Sequence, residues 1–84
     1  MKRILQFAEL TPALQSAAVA KIQRVAELTA GYRGEIWTES ARTLAESARF
    51  TVLRDRDGEV AAIWDFKLAH PPTVMPGTEE RRAA

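Results

Sequence analysis

The stretch Asp55-Arg56-Asp57-Gly58 separates two apolar runs, residues 50–53 and 60–66. Asp suits the first position of a type I turn and Gly the last, so residues 49–68 read as a β-hairpin. Two connections fit. A two-residue Asp57-Gly58 loop pairs Arg56 with Glu59 and sets Leu53, Trp64 and Phe66 on one face, with Phe50, Val52 and Ile63 on the other. A three-residue loop, with Gly58 left-handed, pairs Asp55 with Glu59. Phe50 then faces Trp64, Val52 faces Ala62 and Arg54 faces Val60, with Phe66 and Leu68 on the same face. The other face holds Thr51, Leu53, Ala61, Ile63, Asp65 and Lys67. Burial of one face fixes register, which favours the three-residue loop. That register makes Trp64 a core residue and Ile63 a surface residue.

A lone hairpin is marginal in water, so the rest of the chain must cover it. Residues 3–7 form a candidate third strand, with Leu5 and Phe7 pointing one way. Thr11 is a natural helix N-cap and Pro12 suits the first helical position. A helix over 12–30 follows, with Leu14, Ala18, Ile22, Val25, Leu28 and Tyr32 in one apolar stripe and Gly31 just past its end. Residues 35–48 read as a second helix with Trp37, Ala41, Leu44 and Ala48 on its apolar side. The alternation in Glu35-Ile36-Trp37-Thr38 also allows a short extended piece, with Thr38 capping a shorter helix. After Leu68 the prolines 71, 72 and 76 leave no regular pattern.

The expected fold is therefore α+β: two helices packed on one face of a small antiparallel sheet, in the order β-α-α-β-β with a C-terminal hairpin. Residues 1–69 make the compact domain and 70–84 a flexible tail. The expected core is Leu5, Phe7, Leu14, Ala18, Ile22, Val25, Leu28, Trp37, Leu44, Phe50, Val52, Ala62, Trp64 and Phe66.

The search for chemistry is short. The one histidine, His70, falls in the expected tail, where it cannot be held as a general base. There is no cysteine, and the chain cannot supply the nitrogen or sulfur ligands of a zinc site. Asp55, Asp57 and Glu59 lack calcium-loop spacing and read as a solvated turn. Asp65 sits between Trp64 and Phe66. Burial would raise its pKa, whereas an outward orientation would leave it an ordinary polar residue. No enzyme, cofactor or metal is expected. The formal net charge of +1 does not indicate nucleic-acid binding by bulk charge. No apolar run approaches a membrane span, and a cytoplasmic location is the expectation.

What remains is surface. Two helices cannot cover both faces of the sheet, so the outer face is a candidate docking surface for a protein partner or a second copy. Its candidate residues are Arg49, Thr51, Leu53, Arg54, Arg56, Asp57, Ala61 and Ile63. The opening Phe7-Ala8-Glu9-Leu10-Thr11-Pro12-Ala13-Leu14-Gln15 resembles the start of many small phage- and prophage-encoded accessory proteins, which begin with a short strand, an acidic residue, a Ser or Thr cap and an Ala/Gln-rich helix. About fifteen residues carry the resemblance, and it assigns no functional residue. It implies a setting in the host cytoplasm, where some such proteins inhibit defence complexes, CRISPR surveillance complexes included, and others are antitoxins or regulators. The sequence expectation is a non-catalytic protein-binding module that inhibits a host nucleoprotein complex by steric occlusion. The alternative is a small regulator or antitoxin contacting phosphate through Arg33, Arg49, Arg54 and Arg56.

Overall fold

The computed structural model describes residues 2–76. Its elements are β1 (Lys2–Gln6), α1 (Pro12–Arg33), β2 (Glu35–Trp37), α2 (Ala41–Ser47), β3 (Arg49–Arg54), β4 (Val60–Lys67) and β5 (Val74–Pro76). A 3-10 turn, Phe7–Glu9, joins β1 to α1. The expected α+β order of strand, two helices and hairpin is present, and β2 and β5 are added to it.

The main sheet runs β1-β3-β4, all antiparallel, with β3 central. Leu5 lies opposite Phe50 and Phe50 opposite Phe66, so one face carries a row of large apolar side chains. Phe7 stacks at a tilt on Phe50 with ring centroids 6.3 Å apart, and Phe66 does so at 6.5 Å. Ala18 and Ile22 of α1 and Leu44 and Ala45 of α2 close over this row. Leu10 and Ala48, absent from the expected core, are buried as well. Phe50, Ile22, Leu44 and Val52 are the largest side chains fully removed from water.

Local chemistry sets the element ends. The Gln6 N–H donates to Glu9 Oε1 at 2.8 Å, and the Thr11 hydroxyl accepts from Leu14 N at 3.3 Å. Helix α1 runs past Gly31 and ends only at Gly34, whose φ of 67° is the left-handed conformation a helix terminus uses. Residues 35–38 take the extended alternative instead of opening a helix. The second helix is shorter than 35–48, and its cap is Ser40 rather than Thr38, with the Ser40 hydroxyl accepting from Thr43 N at 3.1 Å.

The hairpin loop is the three-residue one. Arg54 pairs with Val60, the Asp55 N–H donates to the Glu59 carbonyl at 2.9 Å, and Gly58 has a φ of 82°. Asp55 also closes the turn with its side chain: Oδ1 accepts from the N–H of Asp57 at 2.9 Å and of Glu59 at 3.0 Å. Beyond the tip the expected register fails. The ladder shifts between Leu53 and Arg54 and again between Thr51 and Val52, so Ala61 and Trp64 are extra residues on β4. These are β-bulges. Val52 therefore meets Ile63 rather than Ala62, and Phe50 meets Phe66 rather than Trp64. Ile63 packs against the core, whereas Trp64 is 56% exposed and Ala62 is exposed.

The stretch 70–76 is no tail. Thr73 C=O accepts from Thr38 N at 2.9 Å and from the Thr38 hydroxyl at 3.1 Å, and β5 then pairs antiparallel with β2. His70 Nε2 stands 3.3 Å from both carboxylate oxygens of Glu39. The remainder of the expected tail, 77–84, lies outside the described residues. Deleting residues 70–84 is expected to lower the thermal midpoint by about 5 °C or more, because a loss near 1 kcal/mol has that effect in so small a domain. Differential scanning calorimetry of the truncated chain checks it.

Candidate surface for a protein partner

The face of the main sheet turned away from the helices is built by alternation. Opposite residues on antiparallel strands share a face, so Ile4 joins Thr51 and Asp65, and Leu53 joins Ala62. Gln6, Arg49 and Lys67 continue the same face at the other end. Ile4 is 66% exposed, the clearest sign that no helix among the described residues covers this side. Leu53 is half-buried and does not pack on the core cluster.

The expected partner-binding residues separate under this geometry. Arg49, Thr51 and Leu53 lie on the outer face. Arg54 turns its guanidinium onto the backbone, where Nη1 donates to the Gly58 carbonyl. Arg56 and Asp57 stand exposed at the turn. Ala61 is exposed as a bulge residue. Ile63 leaves the outer face, because the bulge at Ala61 rotates it toward α1, where it is half-buried and lines a depression with Leu14, Ala17 and Lys21. Ile4 takes the place on this face that alternation gives it once the first strand joins the sheet.

The arginines proposed to contact phosphate do not converge. Arg33 ends α1, Arg49 opens the hairpin and Arg56 is in the turn beyond the far end of β3, which runs about 17 Å from Arg49 to Arg54 at 3.3 Å per residue. Arg42, exposed on α2, sits with its guanidinium 5.2 Å from the Phe7 ring centroid and its Nε 3.6 Å from Glu46.

Among the described residues no buried side chain is polar or charged, and no group of His, Cys, Asp and Glu could hold a metal ion. Asp65 is exposed, with Oδ1 accepting from Phe66 N at 2.8 Å, the outward orientation. A groove between α1 and β2–α2 is lined by Gln23, Ala26, Ala30, Trp37 and the carboxylates Glu27 and Glu39. Both carboxylates are engaged: Glu27 by Gln23 and Arg24, Glu39 by His70 and Thr73 N. No helix among the described residues is long and apolar enough to cross a membrane. No protein-family model, curated protein or solved structure matches the chain.

Proposed function

We propose that this chain is a non-catalytic protein-binding module that engages its partner through the outer face of the β1-β3-β4 sheet. The observation that carries the reading is the uncovered apolar centre of that face, Ile4 beside Leu53, ringed by Gln6, Arg49, Lys67 and Asp65. An apolar centre supplies affinity, and a rim of mixed sign supplies register and selects against wrong partners.

The finer reading is inhibition of a host defence complex by occlusion. It rests on the likeness of residues 7–15 to small phage-encoded proteins. The test has two arms. Ile4→Glu and Leu53→Glu should each leave the circular dichroism spectrum native, because neither side chain belongs to the core cluster. Affinity capture from a bacterial lysate should then recover a protein with the wild-type chain and lose it with both variants. Recovery of the same protein by all three chains removes the sheet face from the reading. Protection of phage by the wild-type chain in defence-competent cells, abolished by the same substitutions, is the expected result for the finer one.

A further inference from the structure

We infer that the partner of the outer sheet face anchors there by an acidic side chain, received between Arg49 and Lys67, with an apolar side chain beside it on Ile4. This rests on the proposed use of that face and names the chemistry of what binds to it.

The three strands are in register at this end. Gln6 lies opposite Arg49, and Arg49 lies opposite Lys67. Opposite residues share a face, so an amide and two cations form one row across β1, β3 and β4. Like charges directly opposite on antiparallel strands are destabilising, and the local structure does not offset them. Both side chains are exposed. Among the described residues neither makes a hydrogen bond or an ion pair, whereas Arg24 has Glu27 and Arg42 has Glu46. The carboxylate in the next row, Asp65, accepts instead from the N–H of Phe66. The two cations border a depression of about 320 Å³ that Ser47, Leu68 and Ala69 complete.

Charge complementarity identifies the occupant. An anion between Arg49 and Lys67 turns one repulsion into two attractions, and the planar fork of Arg49 matches a carboxylate. The next row, two residues along or about 7 Å away, holds Ile4, Thr51 and Asp65. What binds must therefore follow its anion with an apolar group, and without a second negative charge to meet Asp65. An acidic residue two positions from an apolar one, on an extended segment of protein, satisfies both demands. Its side chains on one side repeat at the same spacing of about 7 Å. A nucleic-acid strand does not satisfy them, because it brings a phosphate with every nucleotide. Nor is the cationic surface continued by the other arginines, since Arg33 ends α1 and Arg56 stands in the hairpin turn.

Titration of the isotope-labelled full chain with three short peptides, followed by nuclear magnetic resonance, tests this. Each peptide is threonine-rich and extended, with a leucine two positions after a glutamate, a glutamine or a lysine. The glutamate peptide should shift the amide signals of Ile4, Arg49 and Lys67. The glutamine peptide should bind about fivefold more weakly, and the lysine peptide about tenfold or more. Arg49→Glu combined with Lys67→Glu should reverse that order with a native circular dichroism spectrum, because both side chains are exposed. Equal binding of the glutamate and glutamine peptides at Ile4 and Thr51 overturns the inference and leaves the sheet-face reading standing. The absence of any shift on this face with all three peptides overturns both. Tighter binding of a single-stranded oligothymidylate than of the glutamate peptide assigns the two cations to phosphate and overturns the inference as well. So does an order of preference that the double substitution leaves unchanged.

Discussion

Phe50→Ala is expected to remove a large share of this protein's stability, the largest loss of any single core substitution. Phe50 is fully buried on the central strand, with Leu5 on one side and Phe66 on the other. Its ring also meets Phe7 across the layer. Truncating a buried Phe to Ala removes its transfer energy and leaves a cavity, together about 3–5 kcal/mol. A domain is stable by about 5–15 kcal/mol in total, and this one has few large buried side chains and no disulfide to add to them. Urea titration followed by circular dichroism reads the loss. Phe50→Leu, which refills most of the volume, should restore a cooperative transition. A change below about 1 kcal/mol for the alanine variant would mean that the core is not centred on this ring.

The second large effect is expected at Ile63. Ile63→Glu should destabilise by about 2–4 kcal/mol, because it removes an apolar side chain from the helix-covered face and presses a carboxylate into its place. Ala62→Glu, one residue earlier, should stay within about 0.5 kcal/mol, as surface changes usually do. Ala62 is exposed opposite Leu53, whereas Ile63 lies opposite the fully buried Val52. Thermal melts of the two variants read the strand's orientation directly. A damaging Ala62→Glu beside a tolerated Ile63→Glu would erase the bulges and return the strand to simple alternation.

Much of this fold was legible because local chemistry and burial agreed. Thr11-Pro12 marked the start of α1, and Asp55 with Gly58 specified the loop. Leu5, Ile22, Leu44, Phe50 and Val52 fell on the faces their spacing assigned. The errors share one cause: local pattern cannot see what a distant segment does. Gly31 is an ordinary stop signal, yet α1 continues to Gly34, where the chain must turn to bring Trp37 back to the core. Residues 71–76 look unable to join a ladder because of their prolines, yet Thr38 and β2 offer them partners more than thirty residues away in sequence. For the candidate surface, Thr51 and Leu53 were correctly placed because β3 is regular up to its partner's bulges. Ile63 was misplaced because period-two alternation fails on β4. There the half-buried residues are Val60, Ile63 and Phe66, spaced by three. That spacing was visible in the sequence and has two readings, a turn of helix or a doubly bulged strand, and only the turn chemistry at residues 55–58 favours the second.

The bulges bear on how this protein stays dispersed at the concentrations of a cell. Val60-Ala61-Ala62-Ile63 is an uncharged run on β4, which among the described residues has a neighbour on one side only, β3. Such a segment, drawn straight, is a template onto which identical segments stack without limit. Two insertions within five residues break the even spacing of its outward N–H and C=O groups. They also twist the edge away from the plane that a docking strand would need. An incoming copy could satisfy a few hydrogen bonds and would then fall out of step. The same irregularity that turns Ile63 inward thus blocks open-ended strand growth along the uncharged half of β4, ahead of Asp65 and Lys67.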